Sequence, residues 1–91
     1  MKIVWSPSAE DDLNNIFDYI ASDNIQSALK MYRLFKDAIE NLAYFPNKGR
    51  VGRCTGTREL VVHVNYIIVY CIRDNTIYVL NIVHAAKRYP V

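Results

Sequence analysis

The sequence predicts an α+β fold in which a short N-terminal strand leads into an antiparallel helix hairpin packed on a small, mainly antiparallel sheet. Three observations carry that prediction. Apolar residues recur at helical spacing from Leu13 to Leu42, three runs rich in Val, Ile and Tyr follow from Arg58 onward, and two-residue joints separate those runs. The 91 residues, 52% hydrophobic with only three glycines, fit one globular domain, 1–91.

Lys2 to Trp5 reads as a strand, with Ile3 and Trp5 on one face and Val4 on the other. Ser6 is placed as a helix cap and Pro7 at the first helical position, where its missing N–H costs nothing. Glu10, Asp11 and Asp12 suit the positive end of that helix, and Leu13, Ile16, Phe17 and Ile20 form its buried face, so a helix is expected over Pro7 to Ala21. Ser22-Asp23-Asn24 then breaks the pattern and offers a second cap. Ala28, Tyr32, Phe35, Ile39 and Leu42 recur at steps of four and three, which predicts a helix from about Ile25 to Tyr44. The repeat lasts barely two heptads, so core packing is preferred to a coiled coil.

Pro46 stops the second helix, and residues 47–57 read as a loop rich in Gly and cations without an acidic residue. It lacks the GxxxxGK[ST] and GxGxxG spacings, so no nucleotide cofactor is expected. The runs Arg58 to His63, Tyr66 to Arg73 and Thr76 to His84 follow, joined by Val64-Asn65 and Asp74-Asn75 as tight hairpins. The central run is apolar on both faces, which suits a strand covered by helices on one side and by a partner or the C-terminal tail on the other.

No apolar run reaches the roughly 20 residues of a membrane helix, and Met1 to Trp5 is too short for a signal-peptide core, so a cytoplasmic protein without membrane association is expected. Cys54 and Cys71 form neither a CxxC pair nor part of a metal-ligand cluster, and are read as reduced thiols with no metal site. Charge is divided along the chain. Residues 1–46 carry four basic against seven acidic side chains, a net −3, and residues 47–91 carry seven against two, a net +5. A positive half points to an acidic partner.

The order of strand, helix hairpin, basic loop and strands resembles the RelE/ParE superfamily of bacterial toxins over essentially the whole chain. The resemblance is carried by Trp5-Ser6-Pro7-Ser8-Ala9 with Asp12, Leu13 and Ile16, by Gly52-Arg53 and Gly56-Thr57-Arg58-Glu59-Leu60, by Asn65 to Tyr70, and by His84-Ala85-Ala86-Lys87-Arg88-Tyr89-Pro90. It implies a growth-inhibiting toxin of a type II toxin-antitoxin operon, held in a hetero-oligomer with a cognate antitoxin that wraps and neutralises it.

The superfamily implies two activities. RelE-like members cleave mRNA on the ribosome as endoribonucleases, which requires a group to activate the 2′-OH, cations for the phosphorane and an acid for the leaving oxygen. Where RelE carries two lysines and an arginine, this chain has Glu59, Val61 and Ile67. A different nuclease would draw on His63 or His84 as base or acid, Glu59 as partner, and Arg58, Lys87 or Arg88 on the phosphate. ParE-like members share the fold and poison DNA gyrase by protein contact, without a cofactor or catalysis of their own. The second half of this chain resembles that branch more closely, and the contact residues it implies are Arg53, Arg58, Lys87, Arg88 and Tyr89. A DNA-binding module fits less well, because neither helix carries a cation cluster suited to a major groove and the first is acidic. An immunity or purely structural protein would leave growth unaffected when expressed alone.

Overall fold

The structure, a computed structural model, describes residues 1–86. Its elements are β1 (Lys2–Trp5), α1 (Pro7–Ala21), α2 (Ile25–Leu42), β2 (Arg50–Val51), β3 (Arg58–His63), β4 (Tyr66–Arg73) and β5 (Thr76–His84). They form one five-stranded sheet in the order β1-β5-β4-β3-β2 with the two helices packed on it. Strands β2 to β5 pair antiparallel, and β1 lies parallel to β5, with Lys2 opposite Thr76 and Trp5 opposite Val79.

Ser6 links β1, α1 and β5. Its hydroxyl accepts the Ala9 N–H at 3.0 Å as the cap of α1 and donates to Leu80 O at 2.7 Å, while its own N–H reaches Val79 O at 2.9 Å. Asn24 caps α2 by accepting the Ser27 N–H at 3.1 Å. Helix α2 stops at Leu42 rather than at Tyr44. Pro46 disfavours helical backbone at the residue before it, and the N–H groups of Ala43, Tyr44 and Phe45 are spent closing the last turn on Glu40 and Asn41.

The core joins Ala9 and Leu13 of α1 and Phe35, Ile39 and Leu42 of α2 to Leu60, Ile68, Tyr70, Ile77, Val79 and Ile82 of the sheet. Tyr32, expected in that seam, is instead 38% exposed and meets Phe17 edge-on at 6.2 Å, because a stripe recurring by fours and threes drifts around the helix and Tyr32 falls at its margin. Residues 67–70 of strand β4 are buried on both faces, and the C-terminal tail expected to help cover the outer one lies, from Lys87 on, outside the described residues. Ile68 and Tyr70 face the helices, and Ile67 and Val69 lie on the other side between Val61, Val83, Glu59 and Asn81. The hairpin joint Asp74-Asn75 has positive φ at both residues, 51° and 57°, as a type I′ turn requires. Residues 47–57 are not all loop: Arg50 and Val51 add a two-residue edge strand opposite Glu59 and Arg58.

Candidate functional site

Three side chains from β3 and β4 pin the basic segment that follows α2. The Tyr70 hydroxyl donates to Pro46 O at 2.7 Å and accepts the Gly49 N–H at 2.9 Å. The Arg58 guanidinium donates to Gly49 O at 2.7 Å and to Asn47 O at 3.4 Å. Glu59, only 2% exposed, accepts from Arg50 Nε and Nη2 at 3.1 and 2.9 Å through one carboxylate oxygen, and from the Arg53 N–H at 3.0 Å through the other. Burial alone would raise the Glu59 pKa, but the Arg53 N–H and the Arg50 and Arg53 guanidinium groups outweigh it and hold the carboxyl below its ordinary value. For Tyr70 burial prevails and raises the phenol above its ordinary value, against the pull of the Gly49 N–H and Arg58. Position 49 has to be glycine here, because a Cβ would sit 2.7 Å from the Tyr70 ring and 2.9 Å from Glu59 O.

This clamp redefines two of the candidate residues. Arg58 spends its guanidinium on backbone carbonyls and so shapes the segment. Glu59 is engaged by two arginines, which leaves no open carboxylate poised for proton transfer. The cations the clamp presents are Arg50 and Arg53, whose side chains are 55% and 48% exposed.

A second cluster lies at the opposite end of β3. Tyr66 stands between two histidines, 6.0 Å from the His63 ring and 5.4 Å from the His84 ring, and rests edge-on against Phe35 at 5.6 Å. The two histidines share one local geometry. His63 Nδ1 accepts the Asn65 N–H at 3.0 Å and His84 Nδ1 accepts the Ala86 N–H at 3.1 Å, so each neutral ring carries its proton on Nε2. Tyr66 and His84 open onto a cleft of about 630 Å³ that α1 closes with Asp12, Asn15 and Tyr19. Asp12 is itself engaged, accepting from the Asn81 side-chain amide at 3.1 Å and the Ile82 N–H at 2.8 Å where β5 bulges against β4.

The structure therefore places His63 and His84 on either side of Tyr66 and separates His63 from Glu59. Four residues of strand put Glu59 about 13 Å from His63. Lys87, Arg88 and Tyr89 lie outside the described residues. No group of three potential metal-ligating side chains occurs among the described residues, and a histidine that accepts at Nδ1 is poorly set up to ligate through Nε2. No helix among the described residues is long and apolar enough to cross a membrane. Sequence reasoning missed Arg50, Tyr66 and Tyr70, since each acquires its partner through strand register or a contact 9 to 24 residues away.

A five-stranded mixed sheet carrying a helix hairpin on one face is the architecture of the RelE/ParE toxins, and comparison with known proteins supports that class. Residues 3–89 match the family described as the ParE toxin of the type II toxin-antitoxin system parDE. Toxin RelE2 of Caulobacter vibrioides is 37% identical over 86 residues, covering 94% of this chain and 97% of its own. Putative toxin Y4kP of Sinorhizobium fredii is 34% identical over 90 residues, covering 98% and 93%. Among solved structures, the chromosomal ParDE system of P. aeruginosa superposes with a TM-score of 0.82 at 24% identity, covering 92% of this chain and 95% of that one. The chain belongs to the ParE toxin family of type II toxin-antitoxin systems, within the RelE/ParE superfamily.

Proposed function

We propose that the protein arrests growth by ParE-like contact with DNA gyrase in the cytoplasm, and that a cognate antitoxin neutralises it by binding as a hetero-oligomer. The observation that carries this reading is the fate of Glu59. A carboxylate that sequence reasoning made available to a nuclease is consumed in holding Arg50 and the Arg53 backbone, so β3 serves to present a rigid cationic segment. Pre-organised arginines suit a protein-binding surface, because little ordering is left to do on contact. The test is a supercoiling and cleavage assay with purified gyrase and ATP. Inhibited supercoiling with trapped double-strand breaks, both reversed by antitoxin, is the expected outcome, and unaffected gyrase overturns it.

One observation favours a second reading. His63 and His84 converge on Tyr66 beside an open cleft, and the Caulobacter relative bears the name RelE2. A RelE-like ribonuclease would use that cluster as base and acid. Cleavage of ribosome-bound mRNA that is abolished by His63→Ala and His84→Ala would establish it.

A further inference from the structure

Where α2 gives way to the clamped segment, two adjacent aromatic side chains stand in solvent. Tyr44 is 80% exposed and Phe45 60%. With Asn41, Pro46, Asn47 and Lys48 they line an open concavity of about 690 Å³, and none of these lining residues is a carboxylate. Val51, a few residues on, is also 80% exposed. A domain this small needs most of its large apolar side chains inside, so a cluster of them left out on one short segment marks a binding surface more often than an accident of packing.

We propose that Tyr44 and Phe45, beside Lys48, anchor the docking surface for the toxin's target, a folded protein that presents an apolar pocket with an acidic rim. The proposal rests on the protein-contact reading above and extends it to residues outside the cationic set. Two features favour a folded target over a wrapping peptide. The chain directly after Phe45 is fixed by Tyr70, Arg58 and Glu59 through Pro46, Gly49 and Arg53, so docking there carries little ordering cost on the toxin's side. A peptide that folds on binding takes an apolar stripe along a helix instead, and α2 offers Ile25 and Leu29, one turn apart and both partly in solvent. Positive charge from Lys48, in a lining without a carboxylate, complements an acidic rim and disfavours a basic one.

The test uses the double variant Tyr44→Ala/Phe45→Ala and, separately, Lys48→Glu. Growth arrest on induction, antitoxin affinity, solution mass and thermal melting are measured for each. The proposal expects the toxin level needed for half-maximal arrest to rise at least ~10-fold, with antitoxin affinity unchanged within ~2-fold. Unaltered arrest overturns it. So does a loss of antitoxin affinity as large as the loss of arrest, which assigns the surface to the antitoxin. A wild-type protein that self-associates through this face, with variants that do not, also overturns it. Should the double variant melt early, Lys48→Glu decides, since that side chain is exposed and makes only a 3.5 Å contact with Asn41. If wild-type protein leaves purified gyrase untouched while both variants still relieve arrest, the gyrase reading fails and the docking surface stands.

Discussion

Glu59 shows how much one side chain can organise. It is a buried carboxylate whose partners are two exposed arginines and a backbone N–H, so its removal exposes no other buried charge but strands the Arg53 N–H and frees Arg50. Glu59→Gln is expected to destabilise the protein by ~1–3 kcal/mol at neutral pH, the cost of weakening charge-assisted hydrogen bonds at a buried acceptor. Its pH dependence has a definite sign. A carboxyl held below the reference value of 4.5 when folded releases its proton more readily in the folded state, so it contributes stability above that value and loses it as pH falls through the lower folded value. Urea midpoints at neutral pH and in acid should show the gap between wild type and Glu59→Gln closing on acidification, and a constant gap would contradict this account.

Among the elements, β5 depends on a single carboxylate from another layer. Asp12 of α1 takes the Ile82 N–H, on β5 beyond Val79, the last residue in register with β1, and also holds Asn81. Asp12→Ala leaves Ile82, 4% exposed, with an unpaired N–H and should cost ~1–3 kcal/mol by thermal melting, more than a cap replacement such as Asn24→Ala, for which ~1 kcal/mol is expected. The contrast also explains what was legible in the sequence. Ser6-Pro7 and Asn24 act through neighbours three residues away, so the helix starts could be read directly. The β3–β5 runs were equally plain from their composition and two-residue joints. Strand β2 was not, because two residues carry no periodicity, and Arg50 is a strand residue only by virtue of facing Glu59. The His63–Tyr66–His84 cluster was half legible: both histidines stood out, but their convergence needed the β3–β4 and β4–β5 registers, including the shift between Val61 and His63. Tyr44 and Phe45 carry a signal in the sequence itself, since two adjacent aromatics at a helix end cannot both face the core.

For the whole molecule, the division of charge between an acidic front half and a basic back half becomes a division of labour under the proposed function. Truncation after Ala86, which removes Lys87, Arg88 and Tyr89, is expected to weaken growth arrest more than antitoxin binding, measured by induction in cells and by pull-down. Equal losses would refute that separation. The sheet topology adds a constraint of a different kind. Among the described residues strand β1 pairs only with β5, and Lys2 lies beside Thr76, so β1 waits for 74 further residues before it can pair. At roughly 5–20 residues per second of synthesis, that wait lasts several seconds to a quarter of a minute. The two bonds that tie Ser6 to Leu80 and Val79 wait equally long, although its cap on Ala9 does not. The sheet of a nascent chain therefore stays unfinished until β5 has been made, and for that interval Lys2 to Trp5 is a strand in waiting.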